Sequence, residues 1–279
     1  MDYLQTIILA IVEGITEFLP ISSTAHMKIS NPLIGVTPDA FTDMFEIVVQ
    51  LAAIAAVVVL YYKKFFDFKK IDFYFKLVLA VIPAVIGGFF LKKHIDASLA
   101  SLNFIAIVMI AGGVVLLFID NFFKNPQINT ESKITYQQSF IIGCFQVLSI
   151  VFPGLSRSAA TIVGGMSQSL TRRVAAEFSF FLAVPTMIAA SAKSFLDVYK
   201  KSPEVLNMDN MTKLGVGSIV AFIVALVAVK FFISYLQKHG FKVFGYYRIV
   251  LGIIVLLLFY KNIVFHDFPN FINFLPTLK

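Results

Sequence analysis

Residues 102–120 read LNFIAIVMIAGGVVLLFID, and only the last position of this stretch is charged. A helix that crosses a membrane needs about 20 predominantly apolar residues, because it rises about 1.5 Å per residue through a hydrocarbon core of about 30 Å. The stretch therefore predicts a transmembrane helix. Five further stretches have the same character, and we predict spans over about 45–62, 75–92, 176–195, 214–234 and 246–262.

The composition of the whole chain agrees with a lipid environment. Of 279 residues, 58% are hydrophobic and 14% are charged, whereas soluble domains have about 45–50% and about 25%. The formal net charge of +7 comes mostly from short loops between apolar stretches, which indicates topology determinants rather than a nucleic-acid surface. One cysteine, Cys144, excludes a disulfide framework. We expect an all-α integral membrane protein with a single membrane domain over 1–279.

Two more apolar segments, about 3–30 and 138–170, are interrupted in the middle. The interruptions are Pro20-Ile21-Ser22-Ser23 and Pro153-Gly154-Leu155-Ser156. Non-helical backbone at membrane depth is tolerated only where it is buried in protein or lines a cavity. Each segment is therefore predicted to be a re-entrant helix–loop–helix that dips into the membrane and returns.

The two interrupted segments resemble each other. Three positions of the first recur at the same spacing in the second: Glu13, Pro20 and Ser23 as Gln146, Pro153 and Ser156. Halves of about 1–120 and 138–262 each contain one broken segment and three spans. Three is odd, so the second half enters the membrane from the opposite side. The result is six transmembrane helices and two re-entrant segments in an inverted-topology repeat, whose site is expected where the two broken elements meet.

The distribution of lysine and arginine predicts the orientation. One side would hold loops 63–75, 121–137, 171–175 and 235–245, and the other would hold both termini and loops 28–44, 92–101 and 196–213. The first side carries more basic residues, so the positive-inside rule assigns it to the cytoplasm and places both termini outside.

The first broken segment carries an acidic pair. Glu13 and Glu17 are four residues apart, so they lie on one helix face with Cβ atoms about 5–6 Å apart. They also argue against a cleaved signal peptide, since they interrupt its apolar stretch. Two carboxylates at membrane depth predict a functional site, and a hard cation, Mg²⁺ or Ca²⁺, would offset their charge. The alternative is a pair of interfacial carboxylates that face water.

A histidine follows the same break. His26 lies three positions after Ser23, and on a helical turn the two could share a face. Imidazole could then act as a base or accept phosphate itself. The alternative is a bystander histidine near the membrane interface.

The second broken segment predicts an anion site. Ser156 is a plausible N-cap after Pro153-Gly154, which would put Arg157 and the hydroxyls of Ser156 and Ser158 at a helix N-terminus inside the membrane. Such an end binds anions, and arginine adds a fork suited to phosphate. The alternative for Arg157 is an ion pair with a glutamate of the other half, which would also join the two breaks. Carboxylates, a phosphate cradle and hydroxyls together indicate phosphoryl chemistry, either hydrolysis or binding.

Other polar side chains near the spans are assigned structural roles. Glu46 and Glu177 are expected to neutralise nearby arginines, the candidates being Arg157, Arg172 and Arg173. The run Tyr246, Tyr247 and Arg248 is interpreted as an interface anchor.

Three stretches carry a resemblance to a known family: EGITEFLPISSTAH at 13–26, PGLSRSAAT at 153–161 and EFSFFLAVP at 177–185. They resemble the signatures of the bacterial undecaprenyl-diphosphate phosphatases of the bacitracin-resistance type, and the likeness extends over essentially the whole chain. The resemblance implies a hydrolase of the bacterial plasma membrane, which converts a C55 isoprenyl diphosphate to the monophosphate and phosphate. It also implies recycling of the carrier lipid for peptidoglycan synthesis, a divalent cation, and an active site that faces outside.

The resemblance assigns roles to residues of this chain. Glu13 and Glu17 would hold Mg²⁺ or Ca²⁺. Ser23 and His26 match the candidate nucleophile and base, and which of Ser23, His26 or water attacks phosphorus is left open. The expected catalytic groups are Glu17, Ser23, His26 and Arg157, and the expected substrate contacts are Thr24, Ser156, Arg157, Ser158 and Thr161.

The expected partners are a prenyl diphosphate lipid and membrane lipids, with a homodimer as a possibility. The rival hypothesis is a transporter, a flippase for the prenyl phosphate, because inverted repeats with broken helices are also a transporter architecture. Transport, however, needs no paired carboxylates beside hydroxyl nucleophiles.

Overall fold

The computed structural model describes residues 1–67, 71–91, 99 and 101–260, apart from the side chains of 259 and 260. In these ranges the chain forms helices and no strand. They are α1 (Tyr3–Thr16), α2 (Ser23–Leu33), α3 (Ala40–Leu60), α4 (Tyr62–Phe65), α5 (Ile71–Phe90), α6 (Leu102–Phe122), α7 (Tyr136–Val151), α8 (Arg157–Ser167), α9 (Arg172–Lys201), α10 (Met208–His239) and α11 (Lys242–Tyr260), with short 3-10 helices at Glu131–Lys133 and Pro203–Val205.

Five of the helices are long and apolar enough to cross a membrane: α3, α5, α6, α9 and α10. They coincide with five of the predicted spans, up to residue 91 for the second, and indicate a multi-pass membrane protein. The sixth predicted span, 246–262, coincides with α11 as far as Tyr260, and its last two residues lie outside the described part of the chain, as does the predicted loop from 92 to 98.

Several helices extend into segments that were predicted to be loops. Helix α3 begins at Ala40 because the side chain of Asp39 accepts a hydrogen bond from the backbone N–H of Thr42. Helix α9 begins at Arg172 because Thr171 caps it in the same way. Capping side chains outside the apolar stretch therefore determine where these helices begin, which hydropathy alone does not detect.

Both interrupted segments fold as two helices on either side of a break. Ser22 caps α2 and Ser156 caps α8, each accepting a hydrogen bond from the backbone N–H three residues on. Both serines have a positive φ, 73° and 74°, which is rare for a residue with a side chain. The expectation that Ser156 is an N-cap is confirmed. Its structural counterpart is Ser22, whereas the sequence spacing matched it to Ser23, because the second break is one residue longer between the proline and the cap.

The two ends of each broken segment lie side by side. In α1 and α7 the third helical residue, Gln5 or Gln138, completes a capping box with the residue before the helix. Its amide nitrogen also donates to a carbonyl just after the second helix. Gln5 Nε2 lies 2.9 Å from the Ile34 oxygen, and Gln138 Nε2 lies 3.1 Å from the Gln168 oxygen. Each segment is therefore a helical hairpin that returns to the level where it began.

The halves pack against each other in matched pairs. Helix α1 packs along α10 and α7 packs along α5, while α3 contacts α9 and α6 contacts α11. Glycines permit the close approach in the first two pairs. A Cβ atom at Gly14 would lie 2.8 Å from the Ala221 oxygen, and one at Gly143 would lie 2.2 Å from the Ala80 oxygen. Small residues at such contacts are typical of membrane helices.

Ion pairs join the loops at the end of the bundle that was predicted to face the cytoplasm. Lys64 Nζ lies 2.9 Å from Glu131 and 3.1 Å from Glu177, which also binds Arg173 at 2.9 Å. Arg172 binds Asp120 at 2.6 Å. Of the arginines proposed as partners for Glu177, Arg173 is the one in contact. The corresponding Glu46 binds Lys28 at 3.1 Å and accepts from Asn31 at 2.6 Å, and in the described part of the chain it forms no ion pair with an arginine.

Candidate active site

The two breaks meet inside the bundle at one carboxylate. Glu17, at the end of α1, accepts a hydrogen bond from the Ser23 hydroxyl to Oε2 (2.6 Å) and one from Arg157 Nη2 to Oε1 (2.8 Å). Arg157 also donates through Nη1 to the Ser179 carbonyl (3.2 Å). Only 6% of the Glu17 side chain and 13% of the Arg157 side chain are exposed. The pairing of Arg157 with a glutamate of the other half, considered from the sequence as an alternative, is present and joins the halves.

The hydroxyls of the second break are used for internal contacts. Ser158 Oγ lies 3.0 Å from the Leu19 carbonyl oxygen and 3.0 Å from Ser156 Oγ. Thr161 Oγ1 lies 2.6 Å from Ser179 Oγ and donates to the Arg157 carbonyl oxygen at 2.9 Å. These three residues, which were expected to bind substrate directly, thus hold the two breaks and α9 together around Arg157.

Thr24 differs from the other predicted substrate contacts. It lies in the first turn of α2, directly after Ser23, and its side chain is half-buried. Within the described residues its hydroxyl makes no hydrogen bond. It therefore remains a candidate for a substrate contact.

Glu13 is a buried carboxylate without a hydrogen-bond partner. It lies one helical turn before Glu17, its exposure is 0%, and both of its side-chain oxygens are buried and unpaired. Glu17, one turn further along, and Ser23, which donates to Glu17, are oxygen-bearing side chains of the same break. An uncompensated buried carboxylate is costly, and a hard cation bound to oxygen ligands would remove that cost. The described residues contain no cluster of three or more His, Cys, Asp or Glu side chains able to hold a metal, so the available donors are two carboxylates and a hydroxyl.

His26 is held from two sides and makes no hydrogen bond to Ser23. Its Nδ1 lies 2.7 Å from the Ser22 carbonyl oxygen, and its Nε2 lies 2.7 Å from the Tyr247 hydroxyl. The imidazole and phenol rings are stacked, with centroids 5.6 Å apart and an interplanar angle of 4°. The hydroxyl of Ser23 instead donates to Glu17.

Arg248 connects the two breaks from α11. It is fully buried and donates to the carbonyl oxygens of Pro20 (3.0 Å), Leu155 (2.7 Å) and Gly154 (2.8 Å), and to Met109 (3.2 Å) and Val108 (3.4 Å) of α6. Gly112 provides the room, because a Cβ atom there would lie 2.4 Å from Arg248 Nη2.

The interpretation of residues 246–248 as an interface anchor is wrong for Arg248, which is fully buried. Arg248 binds broken backbone in the interior, and Tyr247 binds His26. Tyr246, which is 61% exposed, remains compatible with it. A charged residue within a predicted span was the signal that could have identified Arg248, since such residues usually face the bundle interior. Ser22 and Ser179 were also missed, and neither has a distinctive sequence signal.

A family model described as bacitracin resistance protein BacA matches residues 6–254. The chain belongs to this family. Curated relatives in the same comparison are named undecaprenyl-diphosphatase. The protein of Flavobacterium psychrophilum is 54% identical over 92% of this chain and 96% of its own length. That of Porphyromonas gingivalis is 48% identical over 92% and 98%, and that of Bdellovibrio bacteriovorus is 45% identical over 96% and 98%. The family resemblance inferred from the three stretches is confirmed.

Proposed function

We propose that this protein is an integral membrane phosphatase that hydrolyses undecaprenyl diphosphate to undecaprenyl phosphate and inorganic phosphate, and so recycles the carrier lipid of the bacterial cell wall. The observation that carries the proposal is the Ser23–Glu17–Arg157 chain at the junction of the two breaks. It puts a hydroxyl and a phosphate-binding guanidinium each within hydrogen-bond distance of one carboxylate, which can take the proton of the hydroxyl. The names of the BacA-family relatives supply the substrate.

Ser23 is the nucleophile that this geometry favours. Its hydroxyl donates to Glu17 Oε2 at 2.6 Å, whereas both ring nitrogens of His26 are bound elsewhere. In the proposed first step, a bond forms between Ser23 Oγ and the terminal phosphorus, and the bond from that phosphorus to the bridging oxygen breaks. The hydroxyl proton goes to Glu17 and undecaprenyl phosphate leaves. Water then cleaves the phosphoserine to release phosphate. Direct attack by water, with Ser23 as a binding group, is the alternative that the nucleophile variants test.

Arg157 would exchange partners when the substrate binds. Its Nη2 forms an ion pair with Glu17 Oε1. The diphosphate offers oxygens that carry more negative charge and match the fork geometry of the guanidinium. As the guanidinium turns to the diphosphate, Glu17 loses its cationic partner and becomes free to take the Ser23 proton. Phosphoryl transfer depends mainly on positioning the reactants and on neutralising charge. The change of partner by Arg157 links these two effects. The half-buried Thr24 hydroxyl and the α8 N-terminus complete the polar surroundings.

A divalent cation, Mg²⁺ or Ca²⁺, fits the unpaired oxygens of Glu13. Glu13 and Glu17 would hold it, with the Ser23 hydroxyl as a further oxygen donor and water completing the shell. When bound, such an ion supplies positive charge that neutralises the diphosphate. What supports this assignment is the burial of both Glu13 oxygens without a partner.

We further propose six spans and two re-entrant hairpins in an inverted-topology repeat, with the active site open to the outside of the plasma membrane. Matched features support the repeat: the paired serine caps, the two glutamine capping boxes and the reciprocal packing of α1 on α10 and α7 on α5. The single membrane domain, its halves 1–120 and 138–262, and a homodimer remain proposals.

The test is the release of inorganic phosphate from undecaprenyl diphosphate by the purified protein in detergent, with Mg²⁺, with Ca²⁺ and with EDTA. We expect metal-dependent release that Glu17→Gln, Ser23→Ala and Arg157→Ala each abolish in protein that still folds, although Glu17→Gln and Arg157→Ala should melt below wild type because each breaks a buried ion pair. Glu204→Gln is the matched control, because Glu204 is an exposed carboxylate remote from the breaks. Covalent phosphate on wild type but not on Ser23→Ala would identify the nucleophile.

Absence of release from a folded protein would refute the phosphatase and favour the flippase. That alternative would then be measured as movement of a labelled prenyl phosphate across vesicles.

A further inference from the structure

Tyr247 holds the imidazole of His26 from the last helix. The two residues are 221 positions apart, yet the hydroxyl lies 2.7 Å from Nε2 and the rings are parallel. Tyr247 is 44% exposed, whereas His26 is 9% exposed. The tyrosine therefore covers the histidine from the side of the bundle that α11 forms.

The contact made by Nδ1 determines the tautomer of His26. Nδ1 lies 2.7 Å from the Ser22 carbonyl oxygen, which only accepts hydrogen bonds, so Nδ1 must carry the proton. In the neutral ring Nε2 is then an acceptor, and the Tyr247 hydroxyl donates to it. Ser22 and Tyr247 together specify the position, the plane and the tautomer of the imidazole.

Ser22 is also the strained cap that precedes Ser23. A displacement of the His26 ring would therefore disturb the carbonyl of the residue that sets the direction of α2 at Ser23. Tyr247, on α11, can therefore influence the first turn of α2, although it makes no hydrogen bond to Ser23 or Glu17.

We propose that Tyr247 is a positioning residue for the phosphatase reaction, and that it acts by fixing His26 as the Nδ1–H tautomer with Nε2 directed at the α11 side. This inference rests on the proposed function for its effect on rate, but the contact itself is measurable without turnover. Tyr247 has no assigned contact with the substrate and transmits its effect through His26 alone.

The experiment compares Tyr247→Phe with Tyr246→Phe, a matched control on the adjacent, more exposed tyrosine. Tyr247→Phe removes one oxygen and should lower kcat by about tenfold, the size expected for one well-placed hydrogen bond, with KM within about twofold of wild type. Tyr246→Phe should leave both constants unchanged. In a His26→Gln background, adding Tyr247→Phe should change kcat by less than about twofold, because residues that act through one contact are not additive.

Nitrogen-15 spectra of imidazole-labelled protein provide the second readout, with His26→Gln used to assign the signal. Wild type should show His26 with a protonated Nδ1 and a hydrogen-bonded, unprotonated Nε2. Tyr247→Phe should shift the Nε2 signal downfield and Tyr246→Phe should not. A wild-type spectrum with a protonated Nε2, an unshifted signal in Tyr247→Phe, or full additivity with His26→Gln would each overturn the proposal. A protein that shows the expected spectra but releases no phosphate would instead overturn the proposed function.

Discussion

Replacing Arg248 by methionine should destabilise the protein strongly, although Arg248 pairs with no carboxylate among the described residues. Its guanidinium donates to three carbonyl oxygens of the two breaks, those of Pro20, Gly154 and Leu155, at 2.7–3.0 Å. Methionine fills most of the same space but donates nothing. A hydrogen bond to a charged group contributes about 1.5 kcal/mol or more net, so the loss of three gives about 4.5 kcal/mol. At about 2–4 °C per kcal/mol for a chain of this size, the melting temperature should fall by about 9–18 °C.

The assay is thermal unfolding in detergent, followed by circular dichroism. Lys242→Met is the matched control, because Lys242 is an exposed cation at the start of the same helix and its loss should change the melting temperature by less than about 2 °C. Arg248→Lys should fall between the two, since an ammonium has fewer donors and lacks the planar fork. If Arg248→Met melts within about 2 °C of wild type, the carbonyls have other partners and the joining role is refuted.

Three further predictions concern the metal site, the packing of Gly112 and the topology of the second hairpin. Glu13→Gln should melt close to wild type in EDTA, since it replaces one buried polar group without a partner by another, but should lose the rise caused by Mg²⁺; a rise equal to that of wild type would contradict the metal assignment. Gly112→Ala should reproduce the loss of the buried guanidinium because its Cβ would lie 2.4 Å from it, whereas Gly88→Ala, which meets nothing within 4 Å, should be neutral; equal melting temperatures would remove the steric argument. Single cysteines at Thr135 and Thr171 should react with an impermeant reagent from the same side of the membrane, and labelling from opposite sides would exclude a re-entrant hairpin.

The spans and the breaks were predictable from the sequence because both depend on local composition. An apolar stretch such as 102–120 must be a helix in lipid, since every backbone polar group needs an internal partner. A Pro-Gly pair or a run of serines within such a stretch marks a break. Helix starts were predicted less well, because Asp39 and Thr171 act through single capping bonds that are independent of hydropathy.

The site was predictable as a list of residue types and not as a set of contacts. The charges of Glu13, Glu17 and Arg157 at membrane depth were sufficient to mark them as functional. A pairing of Arg157 with a glutamate of the other half could be considered from the sequence, but not which glutamate, because the two residues are 140 positions apart. The role of Tyr247 depends on how α11 packs, for which the sequence has no local signal.

The backbone strain at the two serine caps is explained by the position of the residues that follow them. A positive φ in a serine costs about 1–3 kcal/mol, and Ser22 and Ser156 both have one. The next residues, Ser23 and Arg157, bind the two oxygens of the same carboxylate, that of Glu17. Each half of the chain thus contributes the first residue of its second helix to one acceptor. A cap with ordinary backbone angles would turn that residue in another direction, so the strain is the structural cost of bringing the Ser23 hydroxyl and the Arg157 guanidinium to one carboxylate.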